Sequence, residues 1–247
     1  MLHTAILKES QKFISPGIIF AFSRRRDGNM SLRYGRTEDS LESRKNFLSR
    51  LGIDYRNLVC ARQVHSSHIQ YVTEQDIGKG ALSDATAIDA TDALVTDRKN
   101  LPLAVFTADC LSLFLYDPET SAIGLVHAGW RSSQENISSH VIKFMQARFH
   151  TRPEALSVVF GPSIKQCCYM VAENFKDIFP KEVSQRSGRF YLDLVAVNKR
   201  QVLEAGAKEE NLLDCAACTS CQKHKFFSFR REGKDCGRMI SVAMLKS

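Results

Sequence analysis

The stretch DCLSLFLYDPETSAIGLVHAGWR, residues 109–131, constrains the fold more than any other part of the chain. Two apolar, β-favouring runs, 111–116 and 122–126, flank the polar tetrapeptide Asp117-Pro118-Glu119-Thr120. Aspartate and then proline suit the first two positions of a type I turn. A turn that short returns the second run antiparallel to the first. If Asp117 faces Thr120, the ladder sets Cys110 opposite His127, with Cα atoms roughly 4.5–5.5 Å apart and side chains on one face. A one-residue bulge at the turn would make that pairing diagonal.

Two chemistries suit a cysteine and a histidine that meet this way. Zinc accepts thiolate and imidazole ligands, and a catalytic zinc keeps one of four positions open. Alternatively, the imidazole activates the thiolate as a nucleophile. A buried cysteine beside a hydrogen-bonded histidine, with no chemistry at all, is the plainer reading, and the register alone leaves it equally open. A catalytic zinc needs a third ligand. His65, at the end of an apparent strand, is the best placed, and His68 is its rival three residues on. Beyond His127, Gly129 and Trp130 turn the chain, and Ser132 and Glu135 have the spacing of a capping box. A helix starting there, with Arg131 beside it, would present free N–H groups to an anion. Asp109, next to Cys110, is a candidate acid/base or a carboxylate that orients His65.

The rest of the chain alternates β-rich and helical segments. Strands are expected over 17–22, 57–63, 93–96, 103–107, 111–116, 122–126, 156–160, 190–194 and 226–229. Helices are expected around Leu41, Phe47, Leu48 and Leu51, around Ile137, Val141, Phe144 and Met145, and over 197–205 with Gly206 as its cap. Residues 73–92 are polar and read as a surface loop or a lid. This pattern indicates an α/β protein with a mixed sheet. The absence of repeats and linkers makes residues 1–247 one domain.

The net charge of +7 fits an anionic substrate, and no nucleic-acid motif or long basic arm accompanies it. No apolar run approaches the ~18–20 residues of a membrane span. The N-terminus lacks the pattern of a secretory signal, which points to the cytoplasm. There, the eight cysteines are expected as thiols or metal ligands. Cys215, Cys218 and Cys221, with His224 continuing the spacing, are candidates for a second metal site. Cys167-Cys168 reads as core or pocket wall.

Longer motifs add to this. QVH (63–65), DALVT (92–96), TADC (107–110), HAGWR (127–131), GPSI (161–164), CCY (167–169), LDL (192–194), CT (218–219), FFSFRR (226–231) and GR (237–238) resemble, in order and spacing, the YfiH-type laccase-domain family. The resemblance implies a mixed β-sheet sandwich with flanking helices, akin to the catalytic domain of cytotoxic necrotizing factors with its Cys–His active site. It implies a zinc, or copper at the same site, held by His65, Cys110 and His127. The implied activity is phosphorolysis of adenosine, inosine, guanosine or methylthioadenosine to base and sugar 1-phosphate, with deamination of adenosine beside it. Cys110, His127 and Asp109 then stand as catalytic candidates. Arg131, Gln63 and Arg230 stand as candidates for binding substrate or phosphate.

The chain departs from the family pattern at Ser132 (usually glycine), at Met170 (usually acidic), in the N-terminal RRRDGNMSLRYG and at Arg44-Lys45. The laccase label itself fits poorly. A trinuclear copper centre draws on paired His-X-His motifs, and seven histidines with no such pair do not supply them. Copper nevertheless outranks zinc in intrinsic affinity for such ligands. Two other functions remain open: a Cys110-dependent amide hydrolase acting on a cell-wall precursor, and a non-catalytic metal or nucleotide sensor. The choice between monomer and homodimer is also open.

Overall fold

The computed structural model describes the backbone of residues 12–15 and all of 17–247. The strands are β1 (Lys12–Ser15), β2 (Ile18–Phe22), β3 (Val59–Cys60), β4 (Ile69–Tyr71), β5 (Ala93–Thr96), β6 (Leu103–Thr107) and β7 (Leu111–Asp117). They continue as β8 (Ala122–Ala128), β9 (Ser157–Phe160), β10 (Met170–Val171), β11 (Val183–Arg186), β12 (Arg189–Leu192), β13 (Leu212–Asp214) and β14 (Met239–Leu245). The helices are α1 (Thr37–Ser49), α2 (Trp130–Gln134), α3 (Ile137–Phe149), α4 (Phe175–Ile178), α5 (Leu194–Glu204) and α6 (Phe229–Glu232).

Two mixed sheets face each other. One runs β1-β2-β14-β6-β3 and the other β13-β9-β7-β8-β5-β4, with β10-β12-β11 as a small third sheet. Strand alternation builds the layers. Ile123 and Leu125 of β8 and Phe114 of β7 point between the sheets, where they pack on Ile18, Phe20, Val105 and Ala243. Ala122, Val126 and Ala128, with Leu111, Leu113 and Leu115, point the other way, onto Ile137, Val141 and Met145 of α3 and onto Leu194 and Val202 of α5. On the far side of the first sheet, Phe47 and Leu48 of α1 cover Ile19, Ala21 and Val242. The expected sandwich of mixed sheets with flanking helices is what forms.

The hairpin register differs from the expectation. Asp117 pairs with Ala122 and Ser112 with His127, so Cys110 lies two residues beyond the residue facing His127. The loop holds four residues rather than two. The Asp117 carboxylate accepts from the Glu119 amide (2.9 Å) and the Thr120 hydroxyl (2.7 Å), and Ser121 closes the loop at φ 53°. A shift of two preserves the face, so Cys110 and His127 still lie on the side between the sheets.

Other elements also differ from the expectation. Residues 226–229 are not a strand. Ser228 caps α6 by accepting the Arg231 amide, a local bond that outcompetes extension. The strand expected over 57–63 shortens to β3, and the one expected over 190–194 ends at Leu192, because Asp193 caps α5 through the Ala196 amide. Gly206, at φ 99°, follows the end of α5 as expected. β14 has no counterpart among the expected strands: its seven residues are all buried in mid-sheet, so no alternation marks them. Residues 73–92 form a tethered wall rather than a loose loop. The guanidinium of Arg44, itself 1% exposed, donates to the carbonyls of Met30, Gly80 and Ala81.

Candidate functional site

His127 sits near the end of β8 where the sandwich opens, Cys110 precedes β7, and His65 lies in the loop between β3 and β4. Their ligand atoms lie within 4.8 Å of one another. The Cys110 Sγ is 3.8 Å from the His65 Nε2, and the two imidazole rings meet edge to face at 4.8 Å. His68 is not part of this group. Its exposed ring contacts the Ala90 carbonyl at 3.0 Å.

Two backbone features make the convergence possible. Asp109 at φ 95° and His65 at φ 63° both lie in the left-handed region, which is uncommon for side-chain-bearing residues and concentrates at functional sites. Gly129 provides clearance. A Cβ there would stand 2.7 Å from the His65 Cδ2 and 3.2 Å from the Cys110 Sγ. Gly129→Ala is therefore expected to push His65 off the shared point. Zinc competition should then show weaker binding in the variant than in wild type. Unchanged zinc affinity in that variant would contradict the clearance role.

The residue that organises the trio is Asp92, fully buried at the head of β5. Its carboxylate accepts from the amides of Val64 (3.2 Å), His65 (3.0 Å) and Ser66 (2.7 Å), from the Ser66 hydroxyl (2.9 Å) and from His127 Nδ1 (2.8 Å). It fixes the His65 backbone and holds the His127 tautomer that leaves Nε2 free to face the thiol. The DALVT motif alone assigns Asp92 no role. An aspartate directly before an apolar strand, where it must be buried, was the available signal.

The electrostatics follow from burial and these contacts. Burial pushes the Asp92 carboxyl up, yet His127 and the Ser66 donors outweigh it and hold it at about 2. Burial works against the His127 imidazolium, but the Cys110 thiolate and Asp92 raise it to about 9. Burial likewise raises the Cys110 thiol, and the two imidazoles bring it down to about 6.

The trio stands at the floor of a cleft of about 450 Å³, within the range of small-molecule sites. Arg33, Arg131, Arg230 and Arg238 line it together with Tyr34, Trp130, Tyr169 and Phe229. The Arg131 guanidinium lies over the Trp130 ring at 4.6 Å and makes no hydrogen bond or ion pair among the described residues. Arg230 donates to the Met170 carbonyl at 2.6 Å and stands 5.4 Å from the Tyr169 ring. Burial, then the nearby Cys110 and Asp109 charges, push the Tyr169 phenol upward against Arg230 and Arg131. It stays protonated and able to donate.

Two expected site residues are occupied otherwise. Asp109 does not touch His65. Its oxygens accept from Thr219 (2.6 Å), Ser228 (3.0 Å) and the Arg230 amide (2.7 Å), so it ties three segments together beside Cys110. Gln63 lines the cleft, but its amide pairs in both directions with the Phe106 backbone at 2.8 Å, as a strand residue would. The capping box also shifts. Gly129 caps α2, and the fully buried Ser132 accepts the Gly129 amide at 3.2 Å, which gives the departure from glycine a structural use. Met170 is 43% exposed and contributes its carbonyl rather than its side chain. Cys215 and His224 join no thiol cluster. Cys218 and Cys221 instead meet Cys167 and Cys168.

A layered α/β protein with two imidazoles and a thiol at the floor of an arginine- and aromatic-lined cleft defines a class of Cys–His site. Residues 22–246 match the family described as multi-copper polyphenol oxidoreductase laccase, and the chain belongs to that family. It is 35% identical over 224 residues, 86% of this chain and 81% of the relative, to purine nucleoside phosphorylase YlmD of Geobacillus stearothermophilus. It is 30% identical over 210 residues, 81% of this chain and 80% of the relative, to adenosine deaminase RL5 of an unknown prokaryotic organism. The crystal structure of the Geobacillus YlmD superposes with a TM-score of 0.91 at 31% identity, covering 97% of each chain. The crystal structure of Bacillus licheniformis YfiH gives 0.89 at 31% identity, covering 94% of this chain and 97% of that one.

Proposed function

We propose that the protein is a zinc-dependent purine nucleoside phosphorylase that also deaminates adenosine. The observation that carries this reading is the convergence of His65, Cys110 and His127 on one point at the floor of the cleft. The donor set fits zinc: two imidazoles, one of them aimed by a buried carboxylate, and a thiol whose ionisation its surroundings favour. A zinc held there would supply Lewis acidity at an open fourth position. Among the described residues no second group of histidines accompanies the trio, which favours a single ion over a multicopper centre.

The chain's own residues divide the remaining work. Arg131, whose guanidinium stacks on Trp130 and keeps its N–H donors unpaired, and Arg230 hold phosphate above the trio. Trp130, Tyr34 and Phe229 offer faces for the purine. The protonated Tyr169 donates a hydrogen bond near the point where charge develops as the sugar–base bond breaks. In phosphorolysis the phosphate oxygen replaces the base at the sugar carbon, giving base and sugar 1-phosphate. In deamination water replaces the ring amino group, giving inosine and ammonia. The names of the Geobacillus and RL5 relatives support both activities.

One observation favours a second reading. Cys110, His127 and Asp92 form a thiol–imidazole–carboxylate chain, the arrangement of a nucleophilic cysteine. A single experiment separates the two. Metal-analysed protein is incubated with adenosine, with and without phosphate, and the products are resolved. The zinc reading expects adenine only when phosphate is present, inosine in either case, and rates proportional to zinc content. No turnover of any nucleoside by zinc-loaded protein would end it.

A further inference from the structure

A second group of sulfurs lies outside the cleft chemistry. Cys167, Cys168, Cys218 and Cys221 place their Sγ atoms within 4.8 Å of one another. Cys221 is 3.2 Å from Cys168 and 3.5 Å from Cys167, and Cys167 and Cys168 are 3.8 Å apart. A disulfide would require about 2.05 Å. Four sulfurs around zinc at about 2.3 Å each form a tetrahedron whose edges are about 3.8 Å, and the observed separations approach those edges.

The backbone presents these sulfurs as two knuckles. In the first, the amides of Cys168 (2.9 Å) and Tyr169 (3.0 Å) turn back onto the Lys165 carbonyl. In the second, the Gln222 amide closes onto the Cys218 carbonyl at 3.1 Å, which brings Cys218 and Cys221 together. The two segments are stitched beside the cluster, Thr219 donating to the Ser163 carbonyl at 3.0 Å. The Lys165 ammonium is engaged by Asp214 at 2.8 Å.

We infer that Cys167, Cys168, Cys218 and Cys221 bind a structural zinc ion, distinct from the ion of the His65–Cys110–His127 site. Four soft ligands with no open position make a closed, non-catalytic site. Its position gives it a task. The first knuckle carries Tyr169 of the cleft wall, and the second carries Thr219, which bonds Asp109 next to Cys110. The ion would clamp the two segments together.

Zinc is measured by elemental analysis on the full chain, produced with added zinc and desalted in reducing buffer without chelator. Wild type is expected to carry two equivalents. Cys110→Ala/His127→Ala empties the first site and should keep one, and Cys167→Ser/Cys221→Ser should keep the other. In the Cys110/His127 variant, cobalt(II) exchanged for the remaining zinc should give sulfur-to-cobalt charge-transfer bands and the visible bands of a tetrahedral four-sulfur site. That arm leaves the cluster intact, so it reports even if the cysteine-to-serine variant does not fold. A folded Cys110/His127 variant holding no zinc and giving no sulfur–cobalt absorption overturns the inference. So does a disulfide among the four cysteines that persists in the reducing buffer. Because the two ions are counted separately, loss of the phosphorylase and deaminase reading would leave this one standing, and the reverse.

Discussion

Cys110→Ala is expected to remove zinc from the His65–His127 pair and to lower adenosine turnover by more than the ~10–100-fold that loss of an outer partner costs a metal site. The variant should remain folded, because the thiol is a small group at the cleft floor and supports no element. The metal-free wild type should show the same residue as an unusually reactive thiol. Cys110 ionises at about 6 because the imidazoles of His127 and His65 outweigh its burial. An unperturbed cysteine ionises near ~8.5. The thiolate is the reacting form, so alkylation of Cys110 by iodoacetamide, followed by peptide mapping, should rise with pH through about 6 and then level off. His127→Asn should move that midpoint upward by removing the larger of the two imidazole contributions. Added zinc should protect the thiol throughout. A midpoint in wild type no lower than in His127→Asn would mean that the thiol and imidazole do not communicate. Full turnover by zinc-stripped protein would transfer the chemistry from the metal to the cysteine.

The meeting of Cys110 and His127 was legible in the sequence because strand alternation, not the exact register, brings them to one face. The loop of the β7–β8 hairpin holds four residues where two were expected, but a slip of two residues keeps every side chain on its face. Period-two alternation was thus enough to bring Cys110 and His127 to one side of the sheet, and local turn chemistry at Asp117 decided only how far apart they stand along it. Residues whose role depends on distant partners were not legible. Asp109 looked like an acid/base from its neighbour Cys110, yet Thr219 and Ser228, each more than a hundred residues away, claim its oxygens. The pairing of Cys167-Cys168 with Cys218 and Cys221 was hidden for the same reason. The spacing of Cys215, Cys218 and Cys221 suggested a local cluster, whereas Cys168 joins Cys221 across fifty-three positions. β14 was missed because a strand buried on both faces carries no alternation to read.

Asp92 is the residue whose loss should be felt in both stability and metal binding. Asp92→Ala leaves three amides and the His127 Nδ1 without their acceptor inside the protein. Breaking a buried charged pair by removing one partner costs about 3–5 kcal/mol. For a chain of this size that lowers the melting temperature by roughly 10 °C. Asp92→Asn keeps the shape and one acceptor oxygen, so it should fold but bind zinc about 10–100-fold more weakly, because the His127 tautomer is no longer fixed. The charge has its own signature in metal-stripped protein. Asp92 ionises at about 2 when folded, below the ~3.9 of the unfolded chain. Its contribution is therefore complete above the unfolded value and is lost as pH falls through the folded one. His127 is raised to about 9 when folded, above its unfolded ~6.5. Its contribution is complete below the unfolded value and is lost as pH rises through the folded one. The stability gap between wild type and Asp92→Asn should accordingly be widest between about pH 4 and 6.5 and close on both sides. Denaturant titrations across pH would reveal it. A gap that stays level into acid and alkali would show that Asp92 acts through hydrogen-bond shape alone, and that no buried carboxylate–imidazolium pair forms beneath Cys110.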